Sequence, residues 1–324
     1  MSASNRVTVA AVQAAPVFMD RAATVEKTAA LVDEAAARGA RLIVFPESFV
    51  PGFPYWPRAY PLPERGRSLD ALAYLRAGAV DLARDELGPV REAAARNDAM
   101  VVLGVTERGG PGDLLHNSLV HIDVQGQVVH VHRKLQATFD ERCVWSDGDA
   151  TGLAVHDSPA GRLGGLICGN NSMTLAKAAL LLAGEQVHCA VWPGYDWMFP
   201  NAEIVCRGYA VEGRCFVVVA ASFLPEAHVP DDFPLRDDTS WRIDGGSGVI
   251  GPDGSWLGGP LLGEEGIVTA EVELDQLERQ RAVRDAVDAY GRPDLFRLLV
   301  NVAPQRLRGE PAERVLGAEW RVYS

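Results

Sequence analysis

Arg162-Leu-Gly-Gly-Leu-Ile-Cys168-Gly-Asn-Asn-Ser-Met-Thr-Leu-Ala-Lys177 reads as an apolar strand, a tight Gly/Asn turn and the start of a helix, with Cys168 at the joint. A thiol at such a joint faces the backbone N–H groups of the incoming helix. That position is expected to lower its pKa and to supply donors for a developing anion. Taken alone, a cysteine in an apolar strand is an ordinary packing residue. Two other stretches change the reading: Phe45-Pro46-Glu47-Ser48, and His132-Arg133-Lys134-Leu135 with Glu141 seven residues past the lysine.

Working outward, strand and helix patterns alternate along the chain. Strands are expected at 7–14, 41–45, 99–107, 117–123, 127–133, 154–156, 161–167, 187–192, 215–221 and, last, 266–274, with strand then turn over 245–254. Helices are expected at 21–38, over 68–97 with a break near Gly88-Pro89, at 174–183 and at 201–213. Some strands follow one another as hairpins, while others cross over through helices. The expected fold is therefore α/β: a four-layer α-β-β-α sandwich with mixed sheets and helices outside. No stretch reads as a linker. One domain is expected over 1–280, followed by a charged, less periodic extension over 281–324 that packs on a neighbouring subunit.

Composition narrows the partners. The 324 residues are 48% hydrophobic and 23% charged, values of an ordinary globular protein. The formal net charge of −12 argues against nucleic acid or an anionic membrane as partner. No apolar run reaches the roughly 18 residues that a membrane span needs. Cys143, Cys168, Cys189, Cys206 and Cys215 are odd in number and form no CxxC pair, so they read as reduced thiols. A cytoplasmic location is expected.

A glutamate, a lysine and a cysteine, each at a strand end, make a coherent catalytic set. The Cys168 thiolate attacks an electrophilic carbon bonded to nitrogen. Glu47 takes the thiol proton and later activates water. Lys134, held charged between carboxylates, stabilises the tetrahedral intermediate, and Glu141 holds the lysine. The set calls for no metal and no organic cofactor. His130-x-His132 faces one side of a strand but has no third ligand nearby in sequence, so no metal site is expected. Tyr55 and Trp56 on the Pro-rich loop 51–57, Trp192 at a strand end, and Gly169 and Asn170 beside the nucleophile are the candidates for substrate contact. Each of the three aromatics reads equally well as core or rim.

These residues resemble the nitrilase (carbon–nitrogen hydrolase) superfamily, and in particular its true nitrilase branch. The resemblance rests on Phe45-Pro46-Glu47, Arg133-Lys134-Leu135, Glu141-Arg142 and Gly164-Gly165-Leu166-Ile167-Cys168. It extends to Glu185-Gln-Val-His-Cys-Ala-Val-Trp-Pro-Gly194, Val211-Glu-Gly-Arg-Cys-Phe216, Gly245-Gly-Ser247, Gly251-Pro-Asp-Gly254, Glu265-Gly-Ile267 and Arg292-Pro-Asp-Leu-Phe296, so it spans nearly the whole chain. Each piece is weak alone, and the ordered set is specific. The resemblance implies the sandwich fold, pairing through the cysteine-bearing helices, and larger homo-oligomers or spirals. It implies hydrolysis of an organic nitrile to acid and ammonia through a thioimidate and a thioester, with amide as a possible by-product.

Three features depart from the family pattern. Gly169-Asn170 stand where Trp-Glu is usual, which opens space beside the thiol and removes a negative charge. Ala289-Tyr290-Gly291 stand before Arg292-Pro293-Asp294, where His-Tyr is usual, and Ser146-Asp-Gly-Asp-Ala150 is poorer in glycine. Two other readings stay open: an amidase or carbamoyl hydrolase using the same residues, and a non-catalytic scaffold.

Overall fold

Alternate residues of the first strands enter two different cores, and this sets the layers. The computed structural model describes residues 6–56, 65–109, 113–238, 241–283, 291–302 and 313–316. Strand β1 (Arg6–Gln13) sends Val9 and Ala11 to one core and Ala10 and Val12 to the other. After helix α1 (Arg21–Ala37), strand β2 (Ala40–Val44) divides in the same way, with Leu42 and Val44 opposite Ile43. Helices α2 (Arg65–Gly78) and α3 (Gly88–Asn97) lead to β3 (Met100–Gly109), where Met100 and Val102 oppose Val101 and Leu103. Period-two side-chain geometry with both faces apolar is what a strand buried between two layers requires.

The hairpin β4 (Leu114–Ile122) and β5 (Val128–Arg133) extends this sheet. The second sheet begins with β6 (His156–Ser158) and β7 (Gly161–Ile167). It continues through α4 (Thr174–Leu182), β8 (Val187–Trp192), α5 (Phe199–Gly213), β9 (Phe216–Ala221), β10 (Phe223–Leu224), β11 (Ile243–Ile250) and β12 (Trp256–Leu262). Strand β13 (Gly266–Glu273) then returns to the first sheet and pairs antiparallel with β1. The first sheet has the order β13-β1-β2-β3-β4-β5; the second runs β10-β11-β9-β8-β7-β6, with β12 on β11. Both are mixed: β1, β2 and β3 run parallel, as do β7, β8 and β9, and the outer pairs are antiparallel. Helices α1 and α3 cover one outer face and α4 and α5 the other. The parallel strands carry Glu47 and Cys168 just beyond their C-terminal ends, the edge where α/β sheets hold ligands.

Several elements differ from the sequence reading. The break in the 68–97 helix falls at residues 79–87, and Gly88-Pro89 begins the second helix, because proline suits a first turn. Strand β12 was not read, since Trp256-Leu-Gly-Gly-Pro-Leu-Leu262 lacks alternation and contains two glycines and a proline. Strand β13 is not the last: helix α6 (Asp275–Val283) and the hairpin β14 (Leu298–Asn301) with β15 (Glu313–Leu316) follow, and Leu298 and Val300 pack against this chain's own core. Pro57, the Gly-Pro-Gly at 110–112 and Ala289-Tyr290 lie outside the described residues. All five cysteines are free, and no helix among the described residues is long and apolar enough to cross a membrane.

Candidate active site

Glu47 follows β2 on a turn pressed against β3. Ser48 takes a left-handed φ of 47° and its hydroxyl meets the Thr106 hydroxyl at 2.7 Å. Gly104 makes the approach possible: a Cβ there would lie 2.0 Å from the Pro46 carbonyl oxygen. Lys134 is the first residue past β5, and its N–H donates to the Asn117 carbonyl of β4 at 2.7 Å. Glu141 lies on a 3₁₀ turn, Phe139–Cys143, whose capping box with Thr138 fixes the carboxylate; the Thr138 N–H donates to Glu141 Oε2 at 2.8 Å. Cys168 is the first residue past β7 and takes a φ of 50°, rare outside glycine.

These four side chains converge. Lys134 Nζ donates to Glu47 Oε1 at 2.8 Å and to Glu141 Oε2 at 2.6 Å. Glu47 Oε1 also accepts from Asn117 Nδ2 at 2.7 Å, whereas Oε2 has no partner among the described residues. Cys168 Sγ and one oxygen from each of Glu47 and Glu141 lie within 4.8 Å of one another. Such a trio has metal-ligand chemistry, but a cation already sits among them, the Lys134 ammonium.

Burial dominates the electrostatics. It pushes the Glu47 carboxyl up to about 7, against the pull of Lys134 and with the repulsion of Glu141 added. Burial also opposes the Lys134 charge, yet the Cys168 sulfur, Glu47 and Glu141 outweigh it and hold that pKa above the ordinary lysine value. For Cys168, burial raises the thiol pKa well above its usual value; Lys134 and the Gly169 N–H pull it down without prevailing. This corrects the expectation of a lowered thiol pKa. The chain after Cys168 is a 3₁₀ turn, Cys168–Ser172, and α4 starts only at Thr174, so the thiol does not sit on a helix terminus. Burial thus favours the neutral thiol, so attack by Cys168 would call for a base, and a Glu47 carboxylate oxygen lies within 4.8 Å of the sulfur.

The other candidates separate by position. Asn170 is 3% exposed, and its amide is turned onto the lysine loop. Its Oδ1 accepts from the Leu135 N–H at 2.7 Å and its Nδ2 donates to the Gln136 carbonyl at 3.1 Å. It ties the cysteine turn to the lysine loop, a geometric role that its place beside Cys168 did not reveal. At half-buried Gly169 an added Cβ would meet only Thr138 Oγ1, at 3.3 Å, so the position is open on its other sides. Tyr55 and Trp56 are buried in a cluster with Phe18 and Phe233; Tyr55 stacks on Trp241 and donates its O–H to the Leu235 carbonyl. Trp192, at the end of β8, lines an apolar cleft with Tyr195, Met198, Phe199 and Trp256. His130 Nε2 and His132 Nδ1 both meet the Gly152 carbonyl at 3.0 Å.

Sequence reasoning missed Asn117, which orients Glu47, because an asparagine inside a hairpin strand carries no signal. It also missed the line Phe53–Trp145, whose indole N–H donates to Thr106 Oγ1 at 3.3 Å beside the Glu47 turn.

The profile of the family described as carbon–nitrogen hydrolase matches residues 8–282. The chain is 38% identical over 314 residues to an aliphatic nitrilase of Rhodococcus rhodochrous, covering 92% of this chain and 83% of that one. It is 35% identical over 319 residues to Nitrilase 1 of Arabidopsis thaliana, covering 94% and 89%. Among solved structures it is similar to the Saccharomyces cerevisiae Nit3 protein, with a TM-score of 0.68 at 18% identity over 88% of this chain and 96% of that one. It is also similar to the C. elegans NitFhit protein, with a TM-score of 0.69 at 20% identity over 91% and 67%. At those identities the structural likeness speaks to the fold.

Proposed function

The chain belongs to the carbon–nitrogen hydrolase family, in its nitrilase branch, and on that premise we propose that it hydrolyses an organic nitrile through covalent attack by Cys168. The observation that carries the proposal is the unpartnered Glu47 oxygen in a buried site where two carboxylates and the thiol converge on one ammonium. Glu47 takes the thiol proton as Sγ adds to the nitrile carbon, and the nitrogen is protonated to give a thioimidate. Lys134 and the Gly169 N–H face the charge that develops there. Water, deprotonated by Glu47, adds to the carbon; ammonia leaves and a thioester remains. A second water releases the acid and restores the thiol, so one nitrile and two waters give one acid and one ammonia. If the tetrahedral intermediate expels the thiol instead, the product is the amide.

The opening at Gly169 supports a bulkier substrate than a tryptophan there would admit. The proposal extends to assembly. Exposed Leu175 of α4 and Ile204 of α5 support pairing of two copies through these helices, and exposed Leu295, Phe296 and Leu299 support packing of the 281–324 extension on a neighbouring subunit, while Leu298 and Val300 hold it to its own chain. The test is a panel of aromatic, arylacetic and aliphatic nitriles, with the matching amides, assayed for ammonia, acid and amide. Acid and ammonia from a nitrile, lost in Cys168→Ala, are expected. Turnover of amides alone would replace this reading with an amidase.

A further inference from the structure

Behind the nucleophile runs a chain of buried polar groups that the chemistry above does not use. Asn171 Nδ2 donates to two carbonyls that flank the catalytic position, Cys168 O at 2.9 Å and Leu166 O at 3.2 Å. With its N–H groups committed, its Oδ1 can only accept, and His188 Nε2 meets it at 2.8 Å. His188 Nδ1 meets Glu185 Oε1 at 2.8 Å, and Glu185 Oε2 accepts the Tyr209 O–H at 2.5 Å. The His188 and Tyr209 rings stack at 3.9 Å. Glu185 and His188 are 0% exposed and Asn171 is 1% exposed. A carboxylate buried that fully is uncommon and calls for a reason.

The sequence makes room for it. A Cβ on Gly164 would fall 2.2 Å from Glu185 Oε1, so the glycine run before Cys168 clears space for this carboxylate. Helix α6 secures the same residue from outside, with Arg281 Nη2 donating to the Glu185 carbonyl at 2.8 Å.

The geometry points to a positioning role: we propose that Glu185, His188 and Asn171 form a strut that fixes the Cys168–Gly169 peptide and thereby aims the Gly169 N–H at the reacting centre. A trans peptide is planar, with its C=O and N–H pointing opposite ways, so gripping Cys168 O sets the direction of Gly169 N–H. That N–H also favours a negative charge on the Cys168 sulfur. The grip also holds Cys168 in its left-handed conformation, which a non-glycine residue keeps only when its surroundings impose it. Asn171 touches no reacting atom; it acts through the peptide it holds.

This inference rests on the nitrilase reading, so the test carries one readout that needs no turnover. Asn171→Asp keeps the acceptor for His188 and replaces the two donations with a carboxylate oxygen. Glu185→Leu removes the far anchor, and Glu185→Gln retains hydrogen bonds to both neighbours. In single-turnover acylation by a nitrile that the wild type hydrolyses, Asn171→Asp and Glu185→Leu are expected to fall about 100-fold, the scale of losing one preorganised donor, with KM within about threefold. Glu185→Gln is expected to recover at least about tenfold over Glu185→Leu. Folded Asn171→Asp acylating within threefold of the wild type would overturn the strut. Should Asn171→Asp not fold, the Glu185 pair decides: activity falling equally in both, in step with the folded fraction, would mean a structural role only. If the wild type hydrolyses neither nitriles nor amides, the nitrilase reading fails. The strut is then judged by iodoacetamide alkylation of Cys168, expected about tenfold slower in Asn171→Asp or, if that variant does not fold, in Glu185→Leu, and overturned by an equal rate.

Discussion

At the scale of single residues, the site is governed by what burial does to three ionisable groups, Glu47, Lys134 and Cys168. In the proposed mechanism Glu47 takes the thiol proton as a carboxylate, and burial raises its pKa to about 7. Below that pH the base is protonated and idle, so kcat/KM is expected to rise with pH through about 7 and to level off above it. A rate flat from pH 5 to 9 in steady-state assays would contradict the assignment. Glu47→Gln keeps the shape and the contact with Asn117 while removing the base, and should lower acylation about 10³-fold with little change in substrate binding. Gly169→Trp would fill the sides of that position that do not face Thr138, and kcat/KM for bulky nitriles should fall more than for small ones in a competition assay. The four candidate residues were legible in the sequence because Glu47, Lys134 and Cys168 each follow a strand inside a distinctive short motif and Glu141 stands seven residues past the lysine. Their electrostatics were not legible. The expected thiolate came from a helix terminus that the 3₁₀ turn replaces, and only the fold reveals how completely Cys168 is enclosed.

At the scale of elements, the strands place these residues and the turns fine-tune them. Leu42 of β2 is fully buried between the sheets. Leu42→Ala should lower stability by about 2–5 kcal/mol in denaturant unfolding, with kcat per folded molecule unchanged. Gly104→Ala should behave differently: the added methyl drives into the Pro46 carbonyl and displaces the Glu47 turn, so kcat falls as well as stability. Comparing the two by chemical denaturation and initial rates separates packing from positioning. Strands with clear apolar runs, such as β3 and β9, were legible to within a residue or two. Strand β12, with two glycines and a proline, is a strand because β11 offers it an edge, and pairing across sequence distance leaves no local mark. Asn117 and Glu185 belong to the same class: Asn117 meets Glu47 70 residues away and Glu185 meets Tyr209 24 residues away, pairs that only folding brings into line.

At the scale of the whole molecule, two mixed sheets back to back leave α4 and α5 on one outer face, close to the nucleophile turn. Leu175 and Ile204 on that face are each 69% exposed. Leu175→Asp with Ile204→Asp should lower the mass measured by light scattering toward that of one chain; an unchanged assembly would remove this face from the pairing proposal. Rapid-quench intact-mass spectrometry with an arylacetonitrile tests the proposed covalent catalysis by Cys168. A transient adduct equal to the nitrile or its acyl group, mapped to Cys168 and absent from Cys168→Ala together with acid and ammonia, is the predicted result. Ammonia released at the same rate by Cys168→Ala, with no adduct on the wild type, would contradict it.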